Sequence, residues 1–358
     1  MNIALIGLPF SGTSSAFRAL AAGHAQAGGR QQEHVAVVRL KDERLEKLAA
    51  HFRPRKATPP EVTLHDLPGL MGKRGEISGA GAATLAQSDV LVQVVRAFQR
   101  EDLPHPEGSV DPARDIETLS LELTYFDLAV IERRLEKLDI QVRSARPGER
   151  EAGQREQSLF LRLKSSLESG EALRGTLSAE EEKSLAGFGL LTLKPLLLLL
   201  NINESDLPRL TEIERDYRER LEGPRTQVAA LCASLEADLA ELPAQEAAEF
   251  RLALGLTQPA AERVLSLLPG LLGLVAFYTL NAEECRAWQV AEGTPAQLAA
   301  GKIHSDMQRG FIRAEVIQWD RLLAVGSLAE ARKQGVLRSE GKQYPVHDGD
   351  VMHVLFQV

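Results

Sequence analysis

The sequence predicts an α/β fold with one mostly parallel sheet, an inserted antiparallel helical hairpin and a small β-rich domain at the carboxyl end. An apolar strand candidate at residues 2–6 runs into a glycine-bearing turn and then a helix-like segment, which is typical of the opening of an α/β domain. Further apolar runs lack polar alternation, as expected for strands that helices cover on both faces. These runs are residues 35–38, 62–64, 90–95 and 196–200.

The region between the last two runs has a helical period. Leucines seven residues apart and a second seam predict a long helix with one apolar stripe. The two seams are Leu121, Leu128 and Leu135, and Thr124, Ile131 and Leu138. After a turn at Pro147-Gly148, leucines at 159, 163 and 167 predict a second helix, and together the two form a coiled-coil hairpin. The hairpin is either a packed structural arm or a partner-binding surface, and the sequence favours neither.

From about Leu280 the pattern changes to short strand candidates punctuated by glycine, which predicts a small separate domain. The strand candidates are residues 287–290, 312–317 and 351–358, with a helix-like 297–300 between them. The predicted boundaries are therefore 1–118 with 183–280 for the sheet domain, 119–182 for the helical insertion and 281–358 for the β-rich domain.

Composition limits the class of protein. The 358 residues are 44% hydrophobic and 26% charged, which suits two or three folded domains. The net charge of -8 argues against binding nucleic acid through bulk electrostatics. The two cysteines, Cys232 and Cys285, lie far apart, so neither a disulfide framework nor a zinc site is indicated.

The sequence also predicts a cytoplasmic protein without a membrane partner. The N-terminal apolar run is too short for a signal peptide, so no export is implied. The most apolar stretch, residues 190–200, is about half as long as a membrane span and contains Lys194 and Pro195. A buried strand is the interpretation that fits it.

The turn after the first strand has the glycine spacing of a phosphate-binding loop. That motif reads G-x-x-x-x-G-K-[ST], because backbone N–H groups surround the phosphates, the lysine reaches the outer phosphates and the hydroxyl holds magnesium. Here the loop runs Gly7, Leu8, Pro9, Phe10, Ser11, Gly12, Thr13, Ser14, followed by Ser15. Thr13 stands at the lysine position. A helix N-terminus still attracts anions, but by itself the glycine spacing is a weak signal that favours an ordinary strand-to-helix turn.

Two further motifs follow strands in the order expected of a G-domain. Asp66-Leu67-Pro68-Gly69 is a DxxG sequence, in which Asp66 can hold magnesium through water and the Gly69 amide can meet a terminal phosphate. Asn201-Ile202-Asn203-Glu204 follows the last apolar run, where Asn201 and Glu204 can read a purine edge. Each alone is equally compatible with a turn or capping cluster. Their order together favours a nucleotide site.

These segments resemble the YchF branch of the Obg-related P-loop NTPases, the Obg-like ATPase family, over nearly the whole chain. Other matching segments are residues 90–96, 111–117 and 190–195, and in the carboxyl region 286–288, 301–304, 309–316 and 341–353, which resemble a TGS domain of β-grasp fold. The resemblance implies an ATPase with limited GTP use, Mg²⁺ bound with the nucleotide through Ser14 and Asp66, and association with ribosomes or RNA.

The phosphate loop departs from the family pattern. The family has lysine where Thr13 stands and an asparagine-valine pair where Phe10-Ser11 stands, and the position of its magnesium-binding switch threonine falls on Arg30. Leu70, in place of a water-orienting glutamine, is typical of the family. Arg30 could supply positive charge in place of the lysine, a hypothesis that an Arg30→Ala variant with unchanged nucleotide affinity would contradict.

Three functions remain open on this basis. The first is a regulatory, ribosome-associated protein that binds ATP or GTP weakly, with slow or absent hydrolysis. The second is a working ATPase of altered mechanism, in which Ser14, Ser15 and backbone amides hold the nucleotide. The third is a nucleotide-free scaffold that acts through the helical arm and the TGS domain.

Overall fold

The computed structural model describes residues 1–21, 33–67, 77 and 79–357. Arg30, Gly69 and Leu70 lie outside the described residues, so the predictions made for them remain predictions. The strands are β1 (Asn2–Ile6), β2 (His34–Arg39), β3 (Lys56–Thr58), β4 (Glu61–Asp66), β5 (Val90–Ala97), β6 (Leu196–Ile202), β7 (Thr226–Leu231), β8 (Leu274–Leu280), β9 (Glu284–Ala291), β10 (Phe311–Gln318), β11 (Arg338–Glu340) and β12 (Asp350–Phe356).

Helices connect most of these strands. In chain order they are α1 (Thr13–Ala21), α2 (Glu43–Phe52), α3 (Gly79–Gln87), α4 (Pro112–Ser144), α5 (Pro147–Glu168), α6 (Ala179–Leu185), α7 (Leu210–Leu221), α8 (Ala233–Leu239), α9 (Ala244–Ala253), α10 (Ala260–Leu265), α11 (Leu268–Leu271), α12 (Ala296–Ile303), α13 (Ser305–Arg309), α14 (Trp319–Val325) and α15 (Leu328–Lys333). Among the described residues, no helix is both long and apolar enough to cross a membrane.

The chain divides into two compact units. The first contains residues 1–38 and 63–264, and the second contains residues 39–62 and 265–358. The second unit therefore takes in an N-terminal segment, 39–62, that the sequence analysis assigned to the sheet domain. It also begins at Leu265 rather than at residue 281. The finer division into three domains remains a prediction.

The first unit is built on a sheet of order β2-β4-β1-β5-β6-β7. Four neighbouring pairs, β1 with β4, β1 with β5, β5 with β6, and β6 with β7, are parallel. Every residue of β6 is buried, which explains its leucine run, because helices cover a parallel sheet on both faces. The α/β class and the mostly parallel sheet predicted from the sequence are confirmed.

The inserted segment forms two long helices, α4 and α5, that pack along each other with opposite directions. Arg134 makes a bidentate pair with Glu156, at 2.7 and 2.8 Å, and Lys164 Nζ lies 2.7 Å from Glu132. The contacts step back along α4, from Arg134 to Glu132, as they step forward along α5, from Glu156 to Lys164, so the pair is an antiparallel hairpin, as the sequence predicted.

The heptad seam predicted for α4 is wrong in its first half. Leu121 is 52% exposed, whereas Ile116, Leu119 and Leu123 are buried in the core of the parallel sheet. Further along, Ile131 and Leu138 are buried against residues of α5. A helix that packs on the sheet with one half and on another helix with the other half cannot keep a single stripe, so the seven-residue spacing places Leu121 on the wrong face.

A buried carboxylate fastens α4 to the chain entering β6. Asp127 accepts hydrogen bonds from the backbone N–H groups of Leu191, at 2.7 Å, and Thr192, at 2.8 Å, and from the Thr192 hydroxyl, at 2.6 Å. The residue is fully buried, and burial raises the pKa of its carboxyl group to about 6. The sequence gives no sign of this anchor, because an aspartate in a long polar helix looks solvent-exposed.

The second unit contains a sheet of order β11-β10-β12-β8-β9-β3. The predicted strands at 287–290 and 312–317 lie in β9 and β10, residues 351–356 of the predicted strand 351–358 lie in β12, and the helix-like 297–300 lies in α12. Two buried clusters fill the unit, and the one around Tyr278 and Cys285 includes Leu45 and Leu48 from α2. The segment 39–62 is thus an integral part of this unit's core.

Candidate functional site

The loop between β1 and α1 has the backbone of a tight phosphate-binding turn. The Ser11 N–H donates to the Leu8 carbonyl oxygen at 3.1 Å, and Gly12 has φ +89°, which favours glycine. Glycine is also required at position 7 by space, since an added Cβ would lie 2.8 Å from the Val94 carbonyl oxygen. Phe10 adopts φ +66°, unusual for an aromatic residue, and its ring is 55% exposed.

This loop encloses a cavity of about 350 Å³ at the carboxyl end of β1 and β4. Ligands of parallel α/β sheets bind at this end of the strands. The lining contains the sequence-predicted residues Gly7, Pro9, Phe10, Gly12, Thr13, Ser14, Ser15 and Asp66, together with Leu5, Ile6, Leu8, Ser11 and Leu67. The phosphate-loop and DxxG segments therefore share one cavity, as their order along the chain predicts.

The start of α1 provides hydrogen-bond donors. The first N–H of the helix with a backbone acceptor is that of Ala16, which donates to the Gly12 carbonyl oxygen at 2.9 Å. The preceding N–H groups, at Thr13, Ser14 and Ser15, belong to the first turn, where an α-helix has no internal acceptors. These N–H groups form the N-terminal end of α1, and the N-terminus of a helix attracts negative charge.

The loop also makes contacts within itself and carries little charge. Ser11 Oγ and Thr13 Oγ1 lie 3.0 Å apart and share a hydrogen bond. Among the described residues that line the cavity, Asp66 is the one that carries a charge. Where the motif has a cation that reaches the outer phosphates, this loop has a neutral hydroxyl bonded to a neighbouring hydroxyl.

Asp66 lies at the end of β4 with 1% of its surface exposed. Its Oδ2 is 3.2 Å from Nδ1 of His34 in β2, a residue that the sequence analysis did not consider. Ser14 and Asp66 both line the cavity, and their side chains carry oxygen atoms, the ligand type that magnesium prefers. No group of three or more acidic, histidine or cysteine side chains that could hold a metal occurs among the described residues, and magnesium binding by Ser14 and Asp66 stays a prediction.

Asn201 connects three segments at the edge of the site. Its Nδ2 donates to the Ser11 carbonyl oxygen at 3.0 Å, and its Oδ1 accepts from the Ala233 N–H at 3.1 Å. The side chain is 5% exposed, and an added Cβ on Gly12 would meet it at 2.3 Å. Asn201 thus holds the phosphate loop to β6 and to the start of α8. Each of these two atoms can make a second hydrogen bond, because Nδ2 has two N–H groups and Oδ1 has two lone pairs.

Glu204, the other residue predicted to read a base, is exposed at the start of a 3₁₀ helix that covers residues Glu204–Arg209. It does not line the cavity described above. Its role at the base therefore stays a prediction.

Sequence reasoning missed the neighbours that complete the site. Ala233 follows β7, and Phe98 follows β5, so both lie at the carboxyl edge of the parallel sheet. An added Cβ on Gly12 would lie 3.8 Å from the Phe98 ring, and the Arg96 guanidinium lies 4.6 Å above that ring. The rule that ligands bind where parallel strands end would have pointed to both positions.

Comparison with known proteins places this site in a family. A protein-family model, YchF-GTPase_C, described as "Protein of unknown function (DUF933)", matches residues 274–357. The "Ribosome-binding ATPase YchF" of Bacillus subtilis is 34% identical over all of both chains, and that of Escherichia coli O157:H7 is 33% identical over 99% of this chain and 98% of its own.

A solved structure agrees with these relatives. The Schizosaccharomyces pombe YchF GTPase is similar with a TM-score of 0.83 and 26% identity, over 99% of this chain and 97% of that one. The likeness therefore covers both units, including the α4–α5 hairpin and the loop that contains Thr13. On this evidence the chain belongs to the YchF family.

Proposed function

We propose that this protein is a ribosome-associated member of the YchF family that binds a purine nucleotide, ATP or GTP, and hydrolyses it slowly or not at all. The relatives are named as ribosome-binding ATPases, and the family membership supports both the nucleotide and the partner. The observation that carries the weak hydrolysis is Thr13, which stands at the lysine position of an otherwise complete loop.

The physical reason is electrostatic. Phosphoryl transfer depends on positive charge placed against the oxygens of the transferring group. A preorganised charge of this kind is worth several kcal/mol in the transition state, so its absence slows turnover by about 10²-fold or more. The Thr13 hydroxyl, 3.0 Å from Ser11 Oγ, offers a dipole in its place.

Binding can persist without that charge. The N–H groups at the start of α1 and the hydroxyls of Ser14 and Ser15 remain available as donors to phosphate oxygens. Magnesium carried by the nucleotide would be held through Ser14 and Asp66. We therefore expect affinity to be reduced and strongly dependent on magnesium.

A nucleotide-free scaffold is the second candidate, and one observation favours it. The loop is already held in shape by Asn201 on the Ser11 carbonyl and by the Ser11–Thr13 hydroxyl pair, so its folding does not require a bound phosphate. In this case the helical hairpin α4–α5 and the second unit, for which a TGS domain is proposed, would bind the ribosome or RNA in the cytoplasm without control by nucleotide.

Two parallel measurements separate these functions. Steady-state phosphate release from ATP and GTP, with and without ribosomes, tests hydrolysis, and co-sedimentation with ribosomes tests association. The proposal expects co-sedimentation that responds to added nucleotide and phosphate release far below that of the Thr13→Lys variant. Co-sedimentation indifferent to nucleotide would favour the scaffold, and rapid wild-type release would contradict slow hydrolysis.

A further inference from the structure

The strands that carry Asp66 and its partner His34 are joined to the second unit by a short, stiff piece of chain. The chain leaves the first unit at the end of β2, forms α2 and β3 within the second unit, and returns through β4. β2 carries His34 and β4 carries Asp66, whose side chains meet at 3.2 Å. Asp66 also lines the cavity.

Within the second unit, hydrogen bonds at the start of α2 hold segment 39–62 to the rest of the unit. Asp42 caps α2 by accepting from the N–H groups of Arg44 and Leu45, and its Oδ2 accepts the Tyr278 hydroxyl at 2.7 Å. Arg44 in turn donates to Asp348 at 2.6 Å. Since Tyr278 is fully buried, its bond to Asp42 lies where water competes weakly, whereas the bond between Arg44 and Asp348 is exposed.

The same segment is also held by the pairing of its strand β3 with β9. β3 runs parallel to β9, with Lys56, Ala57 and Thr58 in register with Glu284, Cys285 and Arg286. α2 also buries Leu45 and Leu48 in the core around Tyr278. A helix and a strand of the segment therefore both belong to the fold of the second unit.

The connections that join this segment to β2 and to β4 are both short. Residues 40 and 41 separate the end of β2 from Asp42, and the Leu40 N–H donates to the Pro60 carbonyl oxygen at 2.8 Å. On the return side, Pro59 and Pro60 separate β3 from β4. Proline fixes the backbone angle φ, so this connection is stiff. It therefore transmits a displacement of β3 to β4, which a flexible glycine-rich linker would not do.

We propose that residues 39–62 are a conformational coupling device, through which a disturbance of the second unit changes β2 and β4 and hence the wall of the cavity that contains Asp66. A macromolecule bound to the second unit would act on the ligand cavity by this route. The proposal concerns the fold alone, and its test needs no ligand, so its outcome is distinct from that of the proposed nucleotide function.

Hydrogen exchange of the full chain, followed by mass spectrometry, tests the coupling. Asp42→Ala removes the cap of α2 and the acceptor of Tyr278, and exchange in α2 is expected to quicken about fivefold or more, as for the loss of a strong cap. Coupling predicts a similar increase in β2 and β4. Ser327→Ala is the matched control, because Ser327 caps α15 in the same unit by accepting from the Glu330 N–H.

A third variant tests the stiffness of the connection. When Pro59→Gly and Pro60→Gly are added to Asp42→Ala, the faster exchange should remain in α2 and in β2, whose connection through residues 40 and 41 is unchanged, and should disappear from β4. The proposal is overturned if Asp42→Ala leaves α2, β2 or β4 at the wild-type rate. It is also overturned if Ser327→Ala accelerates β2 and β4 equally, or if the glycines leave the faster exchange of β4 intact.

Discussion

Asn201 Nδ2 lies 3.0 Å from the carbonyl oxygen of Ser11, so a side chain at the end of β6 holds the phosphate loop from a position 190 residues further along the chain. The same amide receives the N–H of Ala233 on its oxygen. A single buried residue therefore joins the loop, β6 and the start of α8, and the site depends on the fold of the first unit.

Replacing Asn201 should destabilise the protein as well as its loop. Asn201→Ala leaves the Ser11 carbonyl and the Ala233 N–H without partners in a buried setting, and each such group costs about 1–3 kcal/mol. We expect the free energy of unfolding to fall by about 2–4 kcal/mol. Denaturant unfolding measures it, with Asn281→Ala as control, because Asn281 is exposed and its side chain accepts hydrogen bonds from the nearby N–H groups of Glu283 and Glu284. Equal losses for both variants would contradict the account.

Gly12 is predicted to be intolerant of a side chain for reasons of space as well as backbone. In Gly12→Ala the new Cβ would lie 2.3 Å from Asn201 Nδ2, and φ is +89°. Gly108→Ala isolates the backbone contribution, because φ is +81° there and nothing lies within 4 Å. The Gly108 variant should lose about 1–2 kcal/mol and the Gly12 variant clearly more. Melting temperatures that fall equally would show that the loop moves away from Asn201 without cost.

The buried carboxyl group of Asp127 predicts a pH dependence of unfolding. Its pKa, raised by burial to about 6, exceeds that of an unfolded aspartate, so the folded state binds the proton more tightly. The stabilisation is therefore complete at pH values below about 4 and is lost as pH rises through about 6. The difference in unfolding free energy between wild type and Asp127→Asn should fall by up to about 3 kcal/mol over that range.

Asp139→Asn is the matched control for this titration, since Asp139 is exposed on the same helix. Its difference from wild type should stay nearly flat between those pH values. A flat difference for Asp127→Asn would mean that the hydrogen bonds from Leu191 and Thr192 stabilise the ionised form as much as burial opposes it.

The sequence was sufficient for local patterns and for their order. The apolar runs identified β1, β2, β4, β5 and β6, and the glycine spacing located the loop that encloses the cavity. The sequence was insufficient where a residue's role depends on residues that are far away along the chain. Asp127 and His34 gain their roles from residues 65 and 32 positions away.

The same limit explains the remaining errors. Leu121 was placed on a buried seam because periodicity does not show that α4 changes partner along its length. Segment 39–62 was assigned by its position in the chain, whereas its helix and strand complete the core of the other unit. Asn201 was identified as a site residue, yet only the structure shows that its hydrogen bonds go to the protein's own backbone.

Calorimetric titration with ATP, GTP and ADP in the presence of magnesium shows whether this protein binds nucleotide. The nucleotide-stripped wild type and the Thr13→Lys variant are measured side by side. We predict that the wild type binds nucleotide measurably but more weakly than Thr13→Lys, because the loop keeps its donors and lacks only the cation. Binding by Thr13→Lys alone would contradict a nucleotide function for the wild-type loop. Equal affinities would contradict the importance of position 13.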